Sequence, residues 1–207
     1  SVWEEATRLA DHYYTPGEFT TFIGWEWSST PGAANLHRIV MSSANAQQAA
    51  GFRPFSAVDS PFPEDLWRWL ASTQAKTGVQ FLSIPHNSNI SKGVMFDRQS
   101  LRGEAFTRDY LNLRRSMEPV AEITQIKGDS ETHEALSPED EFASFETYGW
   151  YMQQGYEPYQ PLPGDYLRPA LLRGLGIGQE QGLNPYQLGF IGSTDSHTAL
   201  SSAEENT

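Results

Sequence analysis

Short apolar runs rich in aromatic and β-branched residues alternate along this chain with longer segments whose apolar residues recur at helical spacing. Residues 2–14 place Trp3, Ala6, Leu9, Ala10 and Tyr13 on one helical stripe, which Thr15-Pro16-Gly17 ends. Residues 19–23 (FTTFI) predict a strand ending near Glu26, and residues 35–41 (NLHRIVM) a second, short one. Residues 51–63 carry Gly51, Pro54, Pro61 and Pro63 and read as loop. A helix over 64–76, a strand over 79–84, a helix over 104–117 and a strand over 120–126 follow. Ser137-Pro138-Glu139-Asp140 predicts another helix start, with Ser as cap, Pro in the first turn and acids at the positive end of the dipole. Residues 165–181 predict a helix with internal glycines, and 188–191 a last strand. Strand–helix alternation of this kind is the signature of an α/β protein with a mainly parallel sheet. No composition break divides the chain, so residues 1–207 read as one domain.

Charge and composition narrow the chemistry. Lys plus Arg is 14 and Asp plus Glu 26, a net charge of −12 that repels phosphate backbones and argues against a nucleic-acid groove. With 0 Cys, disulfides, thiolate metal sites and cysteine nucleophiles are excluded. No apolar run approaches the ~20 residues that span a bilayer, and the opening SVWEEATRLADHYY is not signal-like. A soluble chain is expected, with cytoplasmic, periplasmic and exported locations all open. There is no G-x-x-x-x-G-K loop and no G-x-S-x-G elbow, and Gly174-Leu-Gly-Ile-Gly178 falls inside a helical segment rather than after a strand.

What remains is a set of ligand-type residues at strand ends. Glu26 follows TTFIG, His86 follows VQFLSIP, and Asp195 and His197 follow LGFIGST. In parallel α/β folds the strand C-termini share one face, so these residues would be aimed at one place. Glu, His and Asp suit Zn, Mn or Fe through nitrogen and oxygen ligands. Each alone also fits a hydrogen-bonded structural residue or a solvated loop charge; the D-x-H turn is the strongest single signal. His37, inside NLHRIVM, is either a further ligand or a half-buried strand residue. His133, in the acidic loop GDSETH, is a candidate catalytic contact or a plain loop histidine. Arg38, Lys92 and Lys127 lie near site strands and suit a substrate phosphate or carboxylate, and Asn87 adjoins His86 as a substrate contact. Asp129, Glu131, Glu134, Glu139, Asp140, Glu141 and Glu146 occur with no Lys or Arg between them, forming either a solvated face or a negative rim that retains cations. Trp25, Trp27, Trp67, Trp69, Trp150, Tyr151, Tyr156 and Tyr159 are core and rim aromatics, or else the stacking platforms of a non-catalytic carbohydrate-binding module.

FIGWEW, NLHR, IPHNSN, EITQIKGDSETH and above all IGSTDSHT resemble motifs of the PHP superfamily, named for polymerase and histidinol phosphatase. From about residue 18 onward the chain is most similar to a large bacterial branch of it classed as a domain of unknown function. The resemblance implies a distorted (β/α)7, TIM-like barrel holding up to three divalent metal ions at its strand C-termini. It implies phosphoester hydrolysis by metal-activated water. It makes Glu26 the bridging carboxylate, His86 a ligand, Asp195 and His197 the closing D-x-H pair, and His37 the mid-chain histidine. The superfamily opens with an H-x-H motif and a later D-H pair, and this chain shows neither. The resemblance therefore implies an incomplete barrel, truncated before those motifs and holding fewer ions. The expected function is a metal-dependent hydrolase acting on a small-molecule phosphoester. Amide or sulfate-ester hydrolysis and the carbohydrate-binding module are the alternatives; the oligomeric state is left open.

Overall fold

Ser1 opens the first helix, α1 (Val2–Tyr13), through a reciprocal cap. The Glu4 amide donates to Ser1 Oγ at 3.2 Å, and the Ser1 amino group donates to the Glu4 carboxylate at 2.8 Å. In the computed structural model, which describes residues 1–151 and 157–198, the chain then forms β1 (Ile23–Trp27) and β2 (Arg38–Ser42). Tyr156 lies outside the described residues. After β2 come α2 (Ala46–Ala49) and α3 (Pro63–Thr77). Pro63 starts α3, Glu64 and Asp65 sit at its positive end, and Gly78 closes it at φ 75°, a conformation that suits glycine. The order continues with β3 (Phe81–Pro85), α4 (Arg108–Met117), β4 (Val120–Gln125), β5 (Gly128–Asp129), α5 (Leu167–Gln181) and β6 (Gly189–Gly192). Gly174 of α5 packs so closely that a Cβ would lie 2.2 Å from Asn184 Oδ1. Helix packing thus accounts for this glycine of the GLGIG run.

β1, β2 and β3 form one antiparallel sheet, with Glu26 opposite Ile39 opposite Ile84, and Trp27 opposite Arg38 opposite Pro85. Strand alternation gives this sheet two chemically different faces. The inner face carries Trp27, Val40 and Phe81 against Leu66, Trp67 and Leu70 of α3. The outer face carries Glu26, Ile39, Met41 and Ile84. A second cluster joins Ala121 of β4 to Leu167, Ala170 and Ile177 of α5, with Met95, Phe96, Leu111 and Tyr186. Tyr110 touches both clusters, stacked on Phe106 at 4.6 Å and edge-on to Trp67 at 5.3 Å.

The expected mainly parallel, incomplete (β/α)7 barrel is not what the chain forms. The second sheet is mixed: β4 pairs antiparallel with β5 and parallel with β6. Among the described residues β4–β6 is the only parallel pair, and no barrel closes. The hydrophobic period encodes where strands and helices lie but not which way each connection returns the chain. From β1 to β2 the return is a loop with one 3-10 turn (Pro31–Ala33), and the connection through α3 delivers β3 antiparallel as well. Only the passage through α5 gives a parallel return. The helix expected from Ser137 is also absent, and turns occupy its place. Ser137 Oγ pairs with Thr132 Oγ1 at 2.7 Å instead of capping, and Asp140 accepts from the Phe142 amide at 2.9 Å in a local turn. No helix among the described residues is long and apolar enough to cross a membrane.

At the junction of the two clusters lies a buried charge group. Glu118 Oε1 accepts from Arg38 Nε at 2.8 Å and from Trp67 Nε1 at 2.9 Å, and Arg114 Nε lies 3.3 Å from Oε2. Removing one partner of such a group leaves buried charge uncompensated, typically at a cost of about 3–5 kcal/mol. Glu118→Ala is therefore expected to lower unfolding free energy by about that amount in urea titrations followed by tryptophan fluorescence. An unchanged midpoint and slope would refute this role.

Candidate metal centre

Three of the expected ligands converge at one end of the first sheet. Glu26 is the next-to-last residue of β1, His37 immediately precedes β2, and His86 immediately follows β3. All three belong to the outer face by strand alternation, and the His86 amide donates to the His37 carbonyl at 3.4 Å. Glu26 Oε1 lies 2.7 Å from His37 Nδ1 and 3.5 Å from His86 Nε2. One ligand atom from each lies within 4.8 Å of the others. His86 is buried, and its Nδ1 faces the Ile84 carbonyl at 3.4 Å. The Nε2 atoms of both histidines are buried without a hydrogen-bond partner. His37, hydrogen-bonded to it through Nδ1, and after it His86, whose ring lies 3.5 Å away, hold the Glu26 carboxyl far below the usual carboxylate range.

These observations fit a divalent cation. A buried imidazole nitrogen with no partner is costly unless something fills that role. Two histidines and one carboxylate are the three-ligand set of catalytic zinc sites, which keep a position open for water or substrate. The Ile84 carbonyl takes His86 Nδ1 in the manner of outer partners that fix a ligating imidazole.

Asp195 and His197 flank the cluster without joining the compact set. His197 Nε2 is 3.6 Å from Glu26 Oε2, and His197 Nδ1 is 3.3 Å from Asp195 Oδ1. The hydrogen bond of the His197 ring to the Asp195 carbonyl, at 2.8 Å, and after it the charge of the Asp195 carboxylate raise the pKa of that ring. Asp195 is itself occupied by donors: Lys127 Nζ pairs with it, and Gln125 Nε2 reaches it at 2.9 Å. Burial pushes the Asp195 carboxyl up, but Lys127 and Gln125 together outweigh it, and the net shift is downward.

The expected substrate contacts divide. Lys127 reaches this flank through Asp195. Asn87 supports it from behind, its amide donating to Glu122 Oε2 at 3.1 Å. Arg38 lies elsewhere. As the neighbour of His37 it faces the opposite side of the sheet, where it is buried against Glu118 and the Leu36 carbonyl. Lys92 pairs with Glu157 at 2.7 Å. The His133 ring lies near those of Tyr159 and Tyr166, with centroids at 6.1 and 5.9 Å, and its Nδ1 accepts from the Ala135 amide. Glu131 and Asp140 of the acidic stretch both bind Arg168. Trp27 and Trp67 are fully buried in one core cluster, and Trp25 and Trp69, edge-on to each other at 5.8 Å, pack against it.

Two further site residues lie inside EITQIKGDSETH but are not among the expected ligands or contacts. Glu122 lines a cavity of about 250 Å³ together with His86 and Asp195, and burial raises its pKa. Gln125 donates to both Glu122, at 3.1 Å, and Asp195. A period-two reading puts Glu122 and Gln125 on opposite faces. The register of β4 against β6 shifts between Glu122 and Thr124, and this bulge turns Gln125 back to the Glu122 side.

Two measurements test the centre. Wild-type protein is expected to bind zinc by calorimetry, with Glu26→Ala and His86→Ala each weakening it at least tenfold. The affinity should fall as pH is lowered, because protons compete with the metal for its ligand atoms; a pH-independent affinity would exclude histidine ligation. In metal-free protein the depressed Glu26 contributes stability above its ordinary pKa of 4.5, and this is lost as pH falls further. Glu26→Gln should remove that part of the acid limb in melting experiments.

A family described as "Protein of unknown function (DUF3604)" matches residues 1–207. No curated protein matches the chain, and no solved structure does. The match covers the whole sequence, and the chain belongs to the DUF3604 family.

Proposed function

We propose that the protein is a metal-dependent hydrolase whose centre is Glu26, His37 and His86. The observation that carries this reading is the pair of buried, unpartnered imidazole nitrogens beside an ionised carboxylate, at the edge of a cavity of about 250 Å³. A divalent cation there, Zn, Mn or Fe by donor type, supplies a Lewis acid that lowers the pKa of a coordinated water and polarises the scissile group. The chain's own residues do the rest. Glu26, His37 and His86 hold the ion on a rigid sheet end. Asp195 faces the same cavity and is kept ionised by Lys127 and Gln125, so it can accept a proton from the attacking water. His197 bridges Asp195 and Glu26 and orients both.

The likeness of IPHNSN and IGSTDSHT to PHP motifs supports a phosphoester as the bond cleaved. A second reading, hydrolysis of an uncharged bond such as an amide, is favoured by one observation. Arg38, Lys92 and Lys127, the cations expected to meet a substrate anion, are engaged with Glu118, Glu157 and Asp195.

Protein loaded with zinc, manganese or iron is to be assayed on bis(p-nitrophenyl) phosphate and on a p-nitroanilide. Chelator-sensitive turnover of one of them is expected, lowered by a factor of about a hundred or more in Glu26→Gln. Absence of chelator-sensitive turnover on both would sink the proposal.

A further inference from the structure

We propose that the apolar wall of the cavity beside His86, which Glu122, Ser193 and Asp195 line as well, is a subsite taking one aryl or compact branched-alkyl group, so that the substrate joins its reacting bond to a small apolar moiety. The inference rests on the hydrolase reading for the word substrate, and on the cavity itself for the chemistry.

The register of the first sheet supplies the geometry. Glu26, Ile39 and Ile84 are direct neighbours across the three strands, and Met41 lies two residues along β2 on the same face. Adjacent strands are about 4.8 Å apart. A group seated on Ile39 and Ile84 therefore has its attachment point within one or two strand spacings of Glu26 and the histidines. Ile191, opposite Glu122 in the register of β4 and β6, closes the far side.

These apolar residues are not the centre of a core. The core of this sheet is on its inner face, under α3. On the outer face Ile39 and Met41 are only half-buried, and Ile191 is 40% exposed. Size sets the limit. An apolar cavity of roughly 150 Å³ holds one benzene ring, and sites for drug-sized ligands begin near roughly 300 Å³. At about 250 Å³ this cavity accepts one ring with a short linker.

The test is calorimetric titration of zinc-loaded protein with phenylphosphonate and with methylphosphonate, alongside assays of the phenyl and methyl phosphodiesters. Phenylphosphonate is expected to bind at least ~10-fold tighter, the usual effect of filling an apolar pocket. Ile39→Asn and Ile191→Asn are expected to abolish that preference; both positions are incompletely buried, and circular dichroism would verify folding. Equal affinity for the two phosphonates, or binding of neither, overturns the subsite. A phenyl preference in binding with turnover of neither ester sustains the subsite and counts against phosphoester hydrolysis. Turnover without a phenyl preference does the reverse.

Discussion

The structure is organised around the buried carboxylate of Glu118. Arg38 brings β2 to it, Trp67 brings α3, and Arg114 brings α4, while Glu118 itself stands two residues before β4. Both core clusters meet there: Arg114 also donates to the Met95 carbonyl at 2.7 Å, and its guanidinium lies 4.7 Å from the Tyr186 ring centre. A carboxylate with several charged and polar donors has few equivalent arrangements in a dry core, so the group restricts how the two sheets can sit together. Its consequence reaches the outer face. Arg38 and His37 are consecutive, so anchoring Arg38 inward fixes His37 outward, toward Glu26.

The sequence is most legible where structure is local. α1, α3 and α5 follow from helical spacing and stop signals, and the strand-end positions of Glu26 and His86 can be read directly. Arg38 is misleading because proximity in sequence to His37 means opposite orientation in a strand. Its true partner, Glu118, is eighty residues away and carries no motif. The Ser137 turn misleads for a related reason: good cap chemistry is also good turn chemistry, and Thr132 and Asp140 decide between them. Gln125 depends on a bulge, a one-residue irregularity that no periodicity records.

Three of the six described non-glycine residues with positive φ lie on the flank of the centre. Asn87, Asp195 and His197 adopt φ of 52°, 49° and 55°, uncommon for residues with a Cβ. At Asn87 the left-handed turn directly after His86 aims its amide at Glu122, and its side chain donates to Asn89 Oδ1 at 2.6 Å and to the Lys127 carbonyl at 3.4 Å. The segment that ends in a candidate ligand thereby also holds the backbone of the lysine that pairs with Asp195. Such conformations persist only where surrounding bonds over-determine them, and here those bonds are the supports of the site.

Why the ligands converge at all comes down to strand direction. Glu26 and His86 stand at strand ends, but His37 stands at a strand start. In a parallel sheet the start of a five-residue strand lies about 3.3 Å per residue away from its neighbours' ends, so His37 would be some 15 Å from the other two. In the antiparallel sheet the end of β1, the start of β2 and the end of β3 share one edge, as the alignment of Trp27, Arg38 and Pro85 shows. The parallel arrangement expected from the strand–helix rhythm would have scattered these three residues. The antiparallel one gathers two imidazoles and a carboxylate within 4.8 Å. The feature of the fold that the hydrophobic pattern does not disclose is thus the one on which the candidate centre depends.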